Sequence, residues 1–339
     1  MTATIPAGVE TARDLVGPAI ATAVGRLSSE IRLIAAYHLG LSDQHGRQGD
    51  GAGAGKALRP AFTLLSARAA GDPPERAVPA AVAVELVHNF SLLHDDIMDG
   101  DTERRHRPTA WTVFGIGPAI LAGDALLALA QDLLLEGPAR QGIWASRCLT
   151  AAVRRLIAGQ GADLAFERRD DVTVTECLDM AADKTAALMA CACSIGAIYA
   201  GAPTDIAVNL ASFGAHAGLA FQLTDDLLGI WGAPEVTGKP VWSDLRARKK
   251  SLPVVAALTS DTEPGRDLAA LLSGPGDLSE DDLLRAAKLV DAAGGRAWAE
   301  AEADAALESA LRCLAETPMA DEVRAEFAGI AEFITARQW

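Results

Sequence analysis

Apolar residues recur at intervals of three and four along most of the chain, the spacing that places them on one face of an α-helix. This pattern is found over residues 77–98, 117–136, 143–166, 175–201, 204–231 and 280–334. Alternating runs of β-branched residues, which would indicate strands, are almost absent. The sequence therefore predicts an all-α protein.

Several of these segments are apolar nearly all round, so each needs neighbours on every side. Short stretches rich in Gly and Pro separate them, for example at residues 71–74, 201–203 and 232–240. These features predict a large helical bundle. Because no Pro- or Ser-rich linker divides the chain, we expect a single domain over residues 1–339.

The composition limits the possible partners. Half of the 339 residues are apolar, and the formal net charge is −15. Nucleic-acid binding depends on a basic surface, so this charge argues against nucleic acid as a partner. An anionic ligand would have to be held by local bases or by metal ions.

The amino-terminal residues include Glu10 and Asp14 and contain no long apolar run. We therefore expect a cytoplasmic protein without a membrane span. The five cysteines form no CxxC pair, which favours reduced thiols over a disulfide or a zinc site.

The segment LLHDDIMDGDTERRHRPT, residues 92–109, carries its charges in two blocks, acids first and bases second. The predicted helix over 77–98 ends in Asp95, Asp96 and Asp99, and the i, i+4 spacing puts the first and last on one face. Acids at a helix carboxyl end are disfavoured by the helix dipole. Clustered carboxylates are suitable ligands for Mg²⁺, so the segment predicts a magnesium site.

A second acidic pair, Asp225 and Asp226, ends the apolar segment FQLTDDLLGIWG at residues 221–232. Basic side chains that suit phosphate oxygens are spread along the chain. They are Lys56, Arg59, Arg104, Arg105, Lys184, Lys239, Arg246, Arg248, Lys249 and Lys250. Blocks of acids and bases together predict a metal-bound phosphate ligand.

The ordered set GKALRP, HNFSLLHDDIMDGDTERRHRP, DKT, FQLTDD, GKP and SDLRARKKSLP resembles the trans-isoprenyl diphosphate synthases of the polyprenyl synthetase family. The resemblance covers about residues 50–260. It implies an isoprenoid synthase fold, a helical bundle around a deep central cavity, and a homodimer. It also implies a reaction that joins isopentenyl diphosphate to dimethylallyl, geranyl or farnesyl diphosphate, with Mg²⁺ as cofactor.

The resemblance also implies roles for individual residues. The implied magnesium ligands are Asp95, Asp96, Asp99, Asp225 and Asp226. The implied contacts to the allylic diphosphate are Arg104, Lys184 and Lys239, and Lys249 is a further implied substrate-binding residue. Those to isopentenyl diphosphate are Lys56, Arg59, His88 and Arg105. Thr185 and Gln222 match positions that direct oxygen dipoles toward a carbocation, although a local hydrogen bond explains them equally well. His88 also fits an ordinary core histidine.

The second acidic motif departs from the family pattern, because Gly229 stands where the third aspartate is usual. We therefore expect some loss of redundancy among the metal ligands but not loss of activity, and we expect Gly229→Asp to be tolerated. Arg248 stands where the family commonly has a glycine before Lys249, and whether Lys249 or Lys250 contacts the phosphate stays open.

The product length is expected to depend on Val87, Phe90 and Ser91, which precede Asp95 by eight, five and four residues. An aromatic residue at five before the motif and a small residue at four before resemble geranylgeranyl (C20) synthases. Farnesyl (C15) and longer products stay open, as does a Phe90 that packs away from the cavity. More distant alternatives are a class I terpene cyclase and a non-catalytic subunit of a heteromeric synthase. The glycine-rich run at 51–56 lacks the first Gly and the Ser or Thr of a Walker A loop.

Overall fold

The computed structural model describes residues 5–49, 55, 57–233 and 241–336. The amino-terminal helices are α1 (Ala7–Val24), α2 (Ser29–His38), α3 (Leu58–Ala69), α4 (Val78–Met98), α5 (Ala110–Phe114) and α6 (Ile116–Leu135). Next are α7 (Ala139–Phe166), α8 (Val174–Ala181), α9 (Ala187–Ala200), α10 (Thr204–Trp231) and α11 (Ser243–Arg246). The last helices are α12 (Leu252–Leu258), α13 (Glu263–Leu272), α14 (Glu280–Ala292), α15 (Gly295–Ala315) and α16 (Asp321–Thr335). The all-α prediction is confirmed.

Two predicted helical segments are interrupted. Residues 280–334 form three helices, because Gly294 has a left-handed φ of +87° after α14 and Pro318 lies between α15 and α16. Residues 175–201 contain a π-helical turn, Ala182–Ala186, between α8 and α9. Hydrophobic periodicity located these segments but not the breaks within them.

The chain divides into two compact units. The first comprises Met1–Ala151, Cys191–Ala211 and Leu314–Ile330. In this unit the apolar helix α4 buries Leu86 and Leu93 completely. A β-carbon at Gly123 of α6 would overlap the imidazole of His94, so the missing side chain lets α6 approach the end of α4.

A short hairpin follows α4 in the same unit. Its strands, β1 (Glu103–Arg104) and β2 (Arg107–Pro108), are antiparallel. Arg107 donates to the carbonyl oxygens of Tyr37 and Ser42, both at 3.1 Å, and its guanidinium lies 4.3 Å from the centre of the Tyr37 ring. Arg107 therefore anchors the hairpin to α2.

The second unit comprises Ala152–Ala190, Ser212–Cys313 and Ala331–Trp339. One core cluster is built around Phe166, Cys177, Leu223 and Leu252. Another cluster is built around Ile230, Leu245, Val254, Leu268 and Leu283. The two clusters fix the carboxyl end of α10 and the short helix α11. The single-domain prediction stays a prediction.

Four helical stretches are long and apolar enough to cross a membrane, by length and composition alone. They are Pro74–Met98, Ile116–Leu135, Val174–Ala200 and Thr204–Trp231. In Pro74–Met98 and Val174–Ala200, 72% of the apolar window is buried inside the protein, so their apolar residues serve the core. The expected absence of a membrane span and the cytoplasmic location stay predictions.

Candidate active site

The first acidic set lies at the carboxyl end of α4. Asp95 is half-buried, Asp96 is buried, and Asp99 is exposed where the helix ends. Asp95 and Asp99 share one face because they are four residues apart. Gly100 follows in a left-handed conformation, with φ of +70°, and turns the chain away. These carboxylates oppose the helix dipole, so a cation beside them would stabilise the helix end.

The buried carboxylate of Asp96 is only partly satisfied. Its Oδ1 accepts a hydrogen bond of 2.6 Å from Nε of Arg104, whereas its Oδ2 has no partner in the described part of the chain. Burial raises the pKa of Asp96 to about 6, against the opposing effect of Arg104. A buried polar atom without a partner is costly, and a bound metal ion or its water would relieve that cost. The set therefore fits a hard divalent cation.

The described residues do not form a complete metal site by themselves. Among the described residues, no three His, Cys, Asp or Glu side chains are gathered as a complete ligand set. Mg²⁺ commonly keeps several waters and takes its other oxygens from one or two carboxylates and from substrate phosphates. An incomplete set of carboxylates is therefore suited to a magnesium ion that arrives with a diphosphate.

The turn between β1 and β2 points two adjacent arginines in different directions. Arg105 and His106 both have left-handed φ angles, 52° and 59°, which are unfavourable for residues with a side chain. Arg104 bonds to Asp96, whereas a β-carbon at Gly55 would lie 2.9 Å from an Nη atom of Arg105. Backbone strain of this kind is common at functional sites, where surrounding structure holds it in place. Arg104 and Arg105 thus have different neighbours in the protein, and their predicted division between the two diphosphates stays a prediction.

Arg105 belongs to a polar group with Arg59, Glu85, His88 and Asn89, of which Glu85 and Asn89 are buried and the others are partly exposed. Glu85 is only 8% exposed, accepts a hydrogen bond of 3.1 Å from Nδ2 of Asn89, and interacts electrostatically with both arginines. Nε of Arg59 has no described hydrogen-bond partner. Burial, together with Arg59 and Arg105, lowers the pKa of His88 well below its ordinary value, so the imidazole is neutral. Two guanidiniums balanced by one carboxylate leave a positive group suited to an anion.

Sequence reasoning missed Glu85 and Asn89. The available signal was a lone acid inside the apolar run AVAVELVHNF, because a charged residue on an apolar helix is rarely buried without a partner. The position of Glu85 in an apolar helix could have indicated that it is buried, but not which arginines face it.

In the second unit, Lys184 is held by an acid that the sequence did not single out. Nζ of Lys184 lies 2.5 Å from Oδ2 of Asp163 on α7, and both side chains are largely buried. Lys184 lies in the π-helical turn Ala182–Ala186, a local irregularity that often occurs at functional sites. A β-carbon at Gly159 would overlap the backbone nitrogen of Lys184, so this glycine allows α7 to approach the turn.

The next residue, Thr185, begins a chain of hydrogen bonds. Its Oγ1 donates to Oε1 of Gln222 at 2.5 Å, and Nε2 of Gln222 donates to Oδ1 of Asp226 at 2.7 Å. The backbone nitrogen of Leu252 donates to Oδ2 of Asp226 at 2.9 Å. Both oxygens of buried Asp226 accept hydrogen bonds from the protein, so Asp226 fixes the side chain of Gln222 and the backbone at Leu252. Asp225 is exposed, and the geometry therefore favours it over Asp226 as a metal ligand. The predicted metal role of Asp226 and dipole roles of Thr185 and Gln222 stay predictions.

Lys249 and Lys250 differ in their surroundings. Nζ of Lys250 lies 3.7 Å from Oδ1 of exposed Asp170. Burial lowers the pKa of Lys249, but nearby carboxylates outweigh burial and raise it, so this lysine stays charged. Those carboxylates belong to Asp244, Asp226, Asp163 and Asp225. The structure therefore favours Lys249 over Lys250 as the cation of the second acidic set. Lys56 and Lys239, two predicted phosphate contacts, lie outside the described residues.

The sequence profile of the family described as Polyprenyl synthetase matches residues 51–290. The chain belongs to the polyprenyl synthetase family. The (2E,6E)-farnesyl diphosphate synthase of Mycobacterium tuberculosis H37Rv is 48% identical over 330 residues, which cover 96% of this chain and 92% of that protein. The geranylgeranyl diphosphate synthase of the same organism is 44% identical over 313 residues, covering 90% and 87%.

Solved structures agree with this assignment. A polyprenyl synthetase from Streptomyces coelicolor A3(2) has a TM-score of 0.94 at 49% identity and covers 98% of this chain and 99% of that one. A geranylgeranyl pyrophosphate synthase from Corynebacterium glutamicum, complexed with isoprenyl diphosphate and magnesium, has a TM-score of 0.84 at 27% identity, with coverage of 99% and 100%. The predicted isoprenoid synthase fold is confirmed. The protein is a trans-prenyl diphosphate synthase, a prenyltransferase whose substrates are isoprenyl diphosphates.

In this synthase, the residues expected to limit the product lie on two neighbouring stripes of α4. Ser91 is one turn below Asp95 on the same stripe. The Phe90 ring packs edge-to-face against His94, with centroids 4.8 Å apart, and Nε2 of His94 donates to the carbonyl of Ile120 at 3.1 Å. Phe90 therefore lies on the side of α4 that packs against α6. Val87 is completely buried.

Proposed function

We propose that this synthase condenses isopentenyl diphosphate with an allylic diphosphate, in the presence of Mg²⁺, to give geranylgeranyl diphosphate. The observation that carries the proposal is the end of α4. There, a buried carboxylate oxygen of Asp96 lacks a partner while Arg104 fixes the other oxygen. A metal–diphosphate ligand would satisfy this arrangement.

The chain's own residues would bind and orient two diphosphates. Asp95, Asp99 and Asp225 are accessible enough to serve as magnesium ligands. Bound magnesium would supply Lewis-acid stabilisation of the departing diphosphate. The group of Arg59, Arg105 and neutral His88 would bind the isopentenyl diphosphate, since guanidiniums form paired hydrogen bonds to phosphate oxygens.

After ionisation, the new cation needs dipoles that do not capture it. Thr185 and Gln222 carry neutral oxygens, and their hydrogen bonds fix both side chains before substrate arrives. Preorganised dipoles of this kind stabilise developing charge without reorganisation. Asp226 would not contact the substrate but would hold the amide of Gln222 in one orientation.

The reaction is tested by incubating purified protein with Mg²⁺, labelled isopentenyl diphosphate and each allylic diphosphate in turn. We expect linear prenyl diphosphates, with geranylgeranyl diphosphate as the main product. Cyclic hydrocarbons would indicate a terpene cyclase, and turnover only after addition of a second protein would indicate a subunit.

The C20 length rests on the small residue below Asp95. A helix rises about 1.5 Å per residue, so Ser91 lies about 6 Å below the metal ligand, where its small side chain would obstruct a growing chain less than an aromatic one would. Farnesyl diphosphate is the second candidate, and the farnesyl diphosphate synthase that is 48% identical to this chain favours it.

Two variants separate these lengths. Ser91→Phe places a ring one turn below Asp95, and we expect the main product to shorten to C15. Phe90→Ala removes a ring, and we expect products longer than C20. Both are measured by chromatography of the dephosphorylated products.

Each variant serves as the control for the other, because Ser91 and Phe90 are adjacent in sequence but lie on different faces of α4. If Ser91→Phe shortens the product while Phe90→Ala leaves it unchanged, the floor lies on the Asp95 stripe, and Phe90 is an ordinary packing residue against His94. An unchanged product from both variants would mean that neither residue forms the floor, and the C20 proposal would lose its physical basis.

We also propose that the protein is a homodimer. In the first unit, the face of α6 opposite α4 exposes large apolar residues, including Leu121 at 58% and Ile116 at 53%. Ile143 and Trp144 of α7 are also about half exposed. Apolar surface of this kind commonly marks a protein–protein interface. A second copy of the chain would cover it.

Leu121→Asp should therefore give a monomer, because a charge at the centre of an apolar interface would have to be buried without a partner. Sedimentation velocity measures the change. Leu284→Asp is the matched control, since Leu284 is exposed to 40% on α14. If wild-type protein sediments as a monomer, or if only Leu284→Asp dissociates it, this face is not the interface.

A further inference from the structure

At the carboxyl end of α10, Gly229 stands where the third aspartate of the second acidic motif is usual. Gly229 is four residues after Asp225, so both positions lie on one face of the helix. An aspartate at position 229 would add its carboxylate beside that of Asp225. The glycine leaves this position without a side chain of its own.

The space beside Gly229 is already occupied by another carboxylate. A β-carbon built at Gly229 would lie 2.5 Å from Cγ and Oδ2 of Asp244 and 2.7 Å from its Oδ1. These distances are far below van der Waals contact between heavy atoms. A side chain at position 229 would therefore require the Asp244 carboxylate to move, so the expected tolerance of Gly229→Asp depends on that displacement and stays a prediction.

Helix α11 holds Asp244 in this place. Oγ of Ser243 donates to the carbonyl of Gly229 at 3.3 Å, and Leu245 is 1% exposed in the core cluster that contains Ile230. The carbonyl of Asp244 accepts a hydrogen bond of 2.8 Å from the backbone nitrogen of Lys249. Contacts on both sides of Asp244 therefore fix its backbone against the end of α10.

The acidic side chains near Gly229 come from several helices. Lys249 interacts electrostatically with carboxylates of α7, α10 and α11. They are Asp163 on α7, Asp225 and Asp226 on α10, and Asp244 on α11. Asp244 and Asp225 therefore both belong to the acidic cluster around Lys249.

We propose that Asp244 supplies the third carboxylate of the second acidic set, delivered from α11 into the space that Gly229 leaves open. The inference rests on the proposed magnesium-dependent function and deepens it. A glycine is then required at position 229, because any side chain there would displace the carboxylate of Asp244. The carboxylate of Asp244 would then bind the metal, either directly or through a metal-bound water.

The test is a reciprocal exchange of the carboxylate. The variants are Asp244→Asn, Asp244→Ala, Gly229→Asp and the double variant Gly229→Asp/Asp244→Ala. Asp281→Asn, an exposed acid on α14, is the matched control. Each protein is titrated with Mg²⁺ in the presence of inorganic pyrophosphate by isothermal calorimetry, and turnover is measured in parallel.

We expect each single change at position 244 or 229 to weaken magnesium–pyrophosphate binding by about 10- to 100-fold, the range typical of residues that orient metal ligands. The double variant should recover most of that loss, because one carboxylate again occupies the space. Asp281→Asn should match the wild type. Circular dichroism at each step compares the folded fraction, and the isosteric Asp244→Asn decides the result if Asp244→Ala unfolds.

Two outcomes overturn the inference. One is unchanged magnesium affinity in both Asp244 variants. The other is a double variant as weak as Asp244→Ala, which would make Asp244 a structural residue. Failure of the proposed function is a separate result, since the wild type itself would then neither bind magnesium–pyrophosphate nor form product.

Discussion

Asp95→Ala or Asp225→Ala is expected to lower turnover by several orders of magnitude and to leave the helical fold intact. Each carboxylate stabilises charge that grows on the departing diphosphate, so its loss acts mainly on the transition state. Every factor of ten in rate corresponds to about 1.4 kcal/mol of barrier. Steady-state rates at saturating Mg²⁺ measure the effect.

Although Asp95→Ala should lower turnover, it should not lower the thermal stability of the protein. This carboxylate lies in the last turn of α4, where the helix dipole disfavours an anion. Its removal should leave the melting temperature unchanged or slightly higher. Asp267→Ala, an exposed acid on α13, is the control for both measurements. Near-normal turnover in the double variant Asp95→Ala/Asp225→Ala would refute the assignment of both acidic sets.

Gly159→Ala is expected to have the second-largest effect, although this residue has no functional group. Its β-carbon would overlap the backbone nitrogen of Lys184 and lie 2.7 Å from the Cα atom of that residue. The π-helical turn would have to shift, and it carries both Lys184 and Thr185. Misplacement by about 1 Å at a reacting site lowers rates by about 100-fold. Overpacking of this kind also costs about 1–3 kcal/mol of unfolding free energy.

Gly161→Ala is the matched control, two residues further along α7. No described atom lies within 4 Å of the place where its β-carbon would stand. Alanine favours the helix over glycine by about 1 kcal/mol, so this variant should be slightly more stable and fully active. The two proteins are compared by thermal melting and by turnover. Equal activity of the two variants would mean that the close approach of α7 to the π-helical turn does not matter for the reaction.

The contrast between Asp225 and Asp226 shows why a motif alone does not assign roles. The two residues are adjacent, and sequence reasoning treated both as metal ligands. Asp226 is 3% exposed and accepts hydrogen bonds from Gln222 and from the backbone of Leu252. Asp225 is exposed. Adjacent positions on a helix are about 100° apart, so one side chain faces the core when the next does not.

The sequence by itself determined the features that depend on neighbours along the chain. Hydrophobic spacing located α4, α6, α7 and α10 to within a few residues, because one side of a helix is buried at a fixed period. The i, i+4 relation of Asp95 and Asp99 follows from the same geometry. The order of the motifs indicated the family, and through it the chemistry.

Only the tertiary structure decided which residues of different elements meet. Glu85 faces Arg59, and Asp163 pairs with Lys184 across 21 positions of the chain. Asp244 fills the space at Gly229. Periodicity states that a side chain is buried, but not what it is buried against. That choice depends on how the helices pack, and here it identifies Asp244 as the candidate for the carboxylate that the sequence motif lacks.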